Sequence, residues 1–119
     1  MEDKVDGSKI IEIGESNGVY IYAHNNKNHA VYRLNGAYAE MVNFIYSHKG
    51  ATQRATVDGL GIDLKTCRKI RDVLLDLKII VLKSSSNKSN QKVSVMEISP
   101  LFHFHGSGAI IVFRNFVSW

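Results

Sequence analysis

The chain of 119 residues has a single cysteine, Cys67. That excludes an internal disulfide and any zinc site built from several thiolates, and it agrees with a reducing compartment. No apolar run approaches the roughly 18 residues needed to cross a bilayer. The opening MEDKVDGSK is acidic where a secretory leader would be basic and then apolar. A soluble, cytoplasmic protein with no membrane partner is the expectation. No internal repeat is visible. Two phosphate-binding signatures are also missing: Gly59-Leu60-Gly61 follows a helix-like segment rather than a strand, and a leucine, Leu64, stands where a dinucleotide loop needs its third glycine.

What the chain does have is enough apolar residue, 45%, to bury a core, and a charge that is unevenly placed. Residues 1–50 carry five basic and six acidic side chains, whereas residues 51–119 carry ten and five. A field localised in this way favours polyanionic partners.

Residues 1–8 read as a flexible polar terminus, and residues 9–119 as one domain. Three short extended segments come first, Lys9 to Ile13, Gly18 to His24 and Ala30 to Leu34. In GVYIYAH, Tyr20 and Tyr22 share one face and Val19, Ile21 and Ala23 the other, which is the period of a strand. The turns between the segments, GESNG and NNKN, suit positive φ, so a β-hairpin or small sheet leads the domain. Asn35 is placed to cap a helix reaching about His48, with Ala37, Met41, Phe44 and Ile45 at helical spacing and Gly50 as its left-handed stop.

A second helix is expected from Gln53 to Leu60, capped by Thr52 and kept short by Asp58-Gly59, with Ala55, Val57 and Leu60 inward. After Gly61 and Ile62, Asp63 caps a third helix from Leu64 to Leu77. Thr66, Ile70, Val73, Leu74 and Leu77 lie on one side of it. Lys65, Arg68, Lys69, Asp72 and Asp76 lie on the other, with Arg68 and Asp72 spaced as an i,i+4 pair. Cations fill its first turns, against the macrodipole, which invites a complementary phosphate. Ile79 to Lys83 and Lys92 to Ile98 read as paired strands around a polar loop, Ser84 to Gln91. Pro100 then closes the hairpin. The apolar tail, Ala109 to Trp119, is expected to pack on the leading strands or to make a homodimer, which would set paired DNA half-sites about 10 bp apart.

A short helix, a glycine-containing turn, a capped helix with polar opening turns and a strand-loop-strand follow one another in the order of a winged helix-turn-helix. The fold class expected is therefore α+β, a winged helix-turn-helix with an N-terminal β-hairpin and an apolar C-terminal segment. Its helix-turn-helix would span about 52–77 and its wing about 79–98. The stretch TQRATVDGLGIDLKTCRKIRDVLLDLKII is similar to the winged-helix module of bacterial regulators and replication initiators, with Leu60, Ile62, Ile70, Leu74 and Leu77 in core positions. ISPLFHFHG, GVYIYAH and AVYRLNGAYAEMVNFI resemble segments of RepL-like plasmid and phage replication initiators, departing from their pattern at Ser99 and at Asp58-Gly59.

That resemblance implies sequence-specific binding of double-stranded DNA, in replication initiation or transcription regulation, with the replication or transcription machinery as a further partner. Base-edge contacts would come from Lys65, Thr66, Arg68 and Lys69, since Arg and Lys suit guanine O6 and N7. Thr52, Gln53 and Arg54 would hold phosphate at the second helix's start. Lys83, Lys88 and Lys92 of the wing would hold flanking phosphates. No catalytic residue, cofactor or metal is expected. The alternative from another class is a winged-helix protein-interaction module, for example a phage protein contacting the host polymerase. An enzyme reading rests on His103-Phe104-His105, which resembles the histidine-hydrophobic-histidine signature of rolling-circle nicking enzymes but has no tyrosine downstream of it.

Overall fold

The computed structural model describes residues 10–16, 18–86 and 92–106. The expectations for residues 1–8, for Lys88 and for the tail 109–119 lie outside the described residues. The fold is α+β, with three helices and two sheets among the described residues. It divides into two compact units: one of the described residues up to Glu40 and from Pro100 onward, the other Met41–Ser99.

The first unit is a four-stranded sheet. Strands β1 (Ile10–Ile13), β2 (Tyr20–Asn25), β3 (Val31–Asn35) and β6 (Phe102–Gly106) lie in the order β1-β3-β2-β6. The leading hairpin expected from the sequence is β2–β3, antiparallel from Tyr20↔Asn35 to His24↔Val31. Its sheet is larger than a hairpin because β1 adds in parallel to β3 and β6 adds antiparallel to β2. The turn is built by asparagines: Asn25 Oδ1 accepts from the N–H of Lys27 and Asn28, and His29 takes a positive φ of 64°. The alternation read in β2 holds, with Ile21 and Ala23 buried and Tyr20 and Tyr22 half-buried on the other face.

Asn35 does not cap helix α1 (Ala37–Ser47). It ends β3 with its side chain buried, donating to Glu12 Oε1 at 2.9 Å and accepting from Arg33 Nε at 3.2 Å. A buried amide this well satisfied fixes β1 against β3. Gly36 instead makes the turn, with φ 57° and a carbonyl that accepts the first helical bond from Glu40. At the other end of α1 the left-handed position falls one residue earlier than expected, on Lys49 (φ 54°), before Gly50 at φ 111°.

The second unit contains the rest of α1, helices α2 (Gln53–Leu60) and α3 (Leu64–Asp76), and a two-stranded antiparallel ribbon, β4 (Ile80–Ser86) and β5 (Lys92–Ile98). A single β-bridge, Ala51↔Met96, ties the α1–α2 link to the ribbon. The ribbon is longer than the sequence indicated: Ser84, Ser85 and Ser86 pair with Ser94, Val93 and Lys92 and are not loop. Serine has weak strand preference, so only the cross-strand register reveals it. The core of this unit is Met41, Ile45, Cys67, Ile70, Leu74, Ile79, Ile80 and Met96. Of the positions expected inside, Ile70 and Leu74 are buried, Leu60, Ile62 and Leu77 are half-buried, and Ala55 is exposed. The inward residue of α2 is Thr56, whose hydroxyl is satisfied by the Thr52 carbonyl at 2.8 Å.

Candidate nucleic-acid interface

All the candidate cations within the described residues lie in the Met41–Ser99 unit. Helix α2 starts at Thr52, whose hydroxyl accepts from Ala55 N–H at 3.1 Å with the extended backbone of an N-cap. One contact accounts for the glycine within it. Gly59 sits under the Phe44 ring of α1, and a Cβ built there would run into that ring. The glycine is kept inside a helix, where it is a poor former, by close packing rather than by a phosphate. Gly61 then takes φ 67° and its N–H bonds the Val57 carbonyl, ending the helix.

The turn Gly61–Asp63 leads directly into α3. Asp63 accepts from Thr66 N–H at 2.7 Å. Hydrogen bonds from Thr66, the hydroxyl first and then the backbone N–H, hold the Asp63 carboxyl below its ordinary range. This carboxylate already complements the helix dipole, so the opening turn of α3 is not an anion seat. It offers side chains instead.

Cys67, Ile70 and Leu74 are buried, and Lys65, Arg68 and Lys69 are exposed. At 100° per residue the three cations fall within one arc over the first turns. Among the described residues none of the three makes an ion pair or a side-chain hydrogen bond. The expected Arg68–Asp72 pair does not form. Asp72 is taken by its neighbour Arg71, bonded from Nε and from Nη2 at 2.9 Å, which leaves Arg68 uncommitted. Thr66 is half-buried, at the margin of the arc. Cys67 is fully buried at the edge of the packed face next to Leu64, and burial pushes its thiol up against the opposing pull of Arg71 and Arg68.

The other candidates differ in how well they are placed. Arg54 is exposed, with Nε 3.9 Å from Asp58, a loose pair in water that is easily exchanged for a phosphate. Gln53 is half-buried with its side-chain oxygen enclosed, so its donors toward an anion are the side-chain Nε2–H and the backbone N–H. In the ribbon, Lys83 is engaged by Glu97 at 3.3 Å while Lys92 is exposed. The register puts them on opposite faces, Lys83 with Val81 and Val95, Lys92 with Leu82 and Met96. The two described ribbon lysines are therefore not a joint cluster. Leu64, the first residue of α3 and not among the residues that the sequence singles out, is 43% exposed. Helical spacing puts it at the border of the apolar arc, beside the cations.

His103 and His105 lie on β6 and share one face, as the alternation required. His103 sits opposite His24, with Nδ1 of His24 3.1 Å from Nε2 of His103, and His105 stacks beside Tyr22. Among the described residues no group of three or more histidine, cysteine or acidic side chains is arranged to hold a metal ion. No described helix is long and apolar enough to cross a membrane. No family model, curated protein or solved structure matches the chain.

Proposed function

We propose that the Met41–Ser99 unit is a winged helix-turn-helix that binds double-stranded DNA, with α3 as the helix entering the major groove and β4–β5 as the wing. The observation that carries this reading is on α3: Lys65, Arg68 and Lys69 are exposed and unpaired among the described residues, while Cys67, Ile70 and Leu74 anchor the opposite side. A helix held by one flank, with uncommitted cations on the other, is what groove entry needs. The order α1, bridge at Ala51, α2, three-residue turn, α3, ribbon supports the same assignment. Thr52 and Arg54 at the start of α2, with Lys92 on the wing, would hold phosphates and set the register of α3. The role we propose for such binding, as a plasmid or phage replication initiator or as a transcription regulator, rests on the resemblance of the sequence to RepL-like initiators.

The experiment is a polarisation titration against random duplex DNA at two salt concentrations, with Arg68→Ala and Lys69→Ala alongside. Neutralising phosphates makes log K fall with log salt by about 0.9 per phosphate. Steep salt dependence in the wild type, with tenfold or so weaker binding in the variants if each loses a guanine contact of about 1–3 kcal/mol, is the expected result. Salt-independent binding, or curves for the variants that coincide with the wild type, would remove α3 from the interface.

A further inference from the structure

Five large apolar side chains are exposed among the described residues: Ile10, Ile11, Leu64, Leu82 and Leu101. Isolated exposed leucines are ordinary on protein surfaces. Leu64 differs by its position, because it opens α3 and is followed at once by the cationic arc. On the helical projection it lies about 80° from Leu74, the middle of the buried arc formed with Ile70 and Cys67, and about 40° from Arg68 one turn on. It therefore stands at the border between the packed flank and the cations, and there it is 43% exposed. The cap belongs to Asp63, so capping gives no reason for a leucine at this position.

We infer that Leu64 is a base-reading residue that packs against the C5-methyl group of thymine in the major groove, beside a guanine contacted by Arg68. The inference rests on the DNA-binding reading of α3. Thymine is the base that presents a methyl group on the major-groove edge, and apolar side chains are its partners there. Polar hydrogen bonding cannot distinguish that methyl from water, whereas a leucine that gives up its hydration to it can. The nearby charge favours DNA as the occupant: an apolar protein partner would have to bury Lys65 and Arg68 unpaired, while a duplex supplies guanine acceptors and phosphates to them. Leu64 and Arg68 are one helical turn apart, about 5–6 Å along the axis, against a base-pair rise of about 3.4 Å. The thymine should therefore lie within about two base pairs of the guanine.

The test uses the full chain and a duplex enriched by it from a pool with a randomised centre. The same duplex is then made with deoxyuridine in place of every thymidine, which deletes the methyl and keeps the base pairing. Wild-type protein should bind the uracil duplex about fourfold more weakly, the loss equivalent to one methyl-sized apolar contact of about 0.8 kcal/mol. Leu64→Ala should bind the uracil duplex as wild type does and should not discriminate between the two duplexes. Leu64→Gln, which keeps the size and loses the apolar end, should behave like Leu64→Ala. Should wild type bind both duplexes equally while Arg68→Ala weakens both, the thymine contact is overturned and the DNA interface stands. Should no duplex be enriched and no salt-dependent binding appear, the interface itself fails and the inference goes with it.

Discussion

His24 and His103 face each other across the antiparallel β2–β6 pair, their ring centroids 4.6 Å apart. His103 Nδ1 is hydrogen-bonded to Asn26 Oδ1, an acceptor, so with both rings neutral His103 Nε2 accepts from His24 Nδ1–H. Burial, followed by the charges of His103 and His29, lowers the pKa of His24 from 6.5. The folded state then holds fewer protons than the unfolded chain, so stability rises with pH in that window. The contribution is complete above 6.5 and is lost as pH falls through that value to the depressed folded one. Denaturant midpoints measured from about pH 7.5 down to about pH 5 should fall, and the fall should be shallower in His24→Gln. Parallel profiles for the two proteins would show that the pair does not couple folding to protons.

Gly59 of α2 packs closely under the Phe44 ring of α1. Gly59→Ala should lower stability by about 1–3 kcal/mol through overpacking, despite alanine's better helix propensity. Removing the ring as well, in Phe44→Ala/Gly59→Ala, should cost less than the sum of the single changes, because the clash is gone. Urea unfolding of the four proteins measures the coupling; strict additivity would show that the ring does not constrain residue 59.

Thr52→Ala should destabilise by about 1 kcal/mol, since the Ala55 N–H loses its acceptor, and Thr52→Ser should restore most of it. Thermal melts of the three proteins decide this. Equal melting for all three would mean that α2 does not depend on its cap.

Cys67 is fully buried and its thiol is pushed up, so it should react with Ellman's reagent only as fast as the protein opens. The reaction should become rapid in denaturant. Immediate reaction in the native protein would mean that the packed side of α3 is accessible.

Lys92 and Lys83 should differ in binding to duplex DNA. Lys92→Gln should reduce the salt slope by about 0.9, one phosphate's worth. Lys83→Gln should change it less, because Lys83 is already held by Glu97. Titrations at several ionic strengths separate them, and a larger loss for Lys83 would reverse which face of the β4–β5 ribbon is proposed to meet DNA.

The elements that local chemistry specifies were legible in the chain. Thr52 and Asp63 are caps because a hydroxyl or carboxylate one residue before a helix satisfies N–H groups within three residues, and nothing distant is needed. The same holds for the alternation in β2, the asparagine turn after it, and the division of α3 into a packed and a cationic flank. Tertiary contact decided the rest. Asn35 reads as a cap and is instead the buried link between β1 and β3, because Glu12 and Arg33 reach its amide. Phe102–Gly106 finds its strand partner about eighty residues away, and Ser84–Ser86 become strand only opposite Lys92–Ser94. Gly59 is required by a ring on another helix. Which cations stay uncommitted was settled by rotamer and register, as Arg71 took Asp72 and Glu97 took Lys83. Backbone capping and side-chain period act over a few residues and are written in order along the chain. Partner choice depends on which surfaces folding brings together, and only three dimensions fix that.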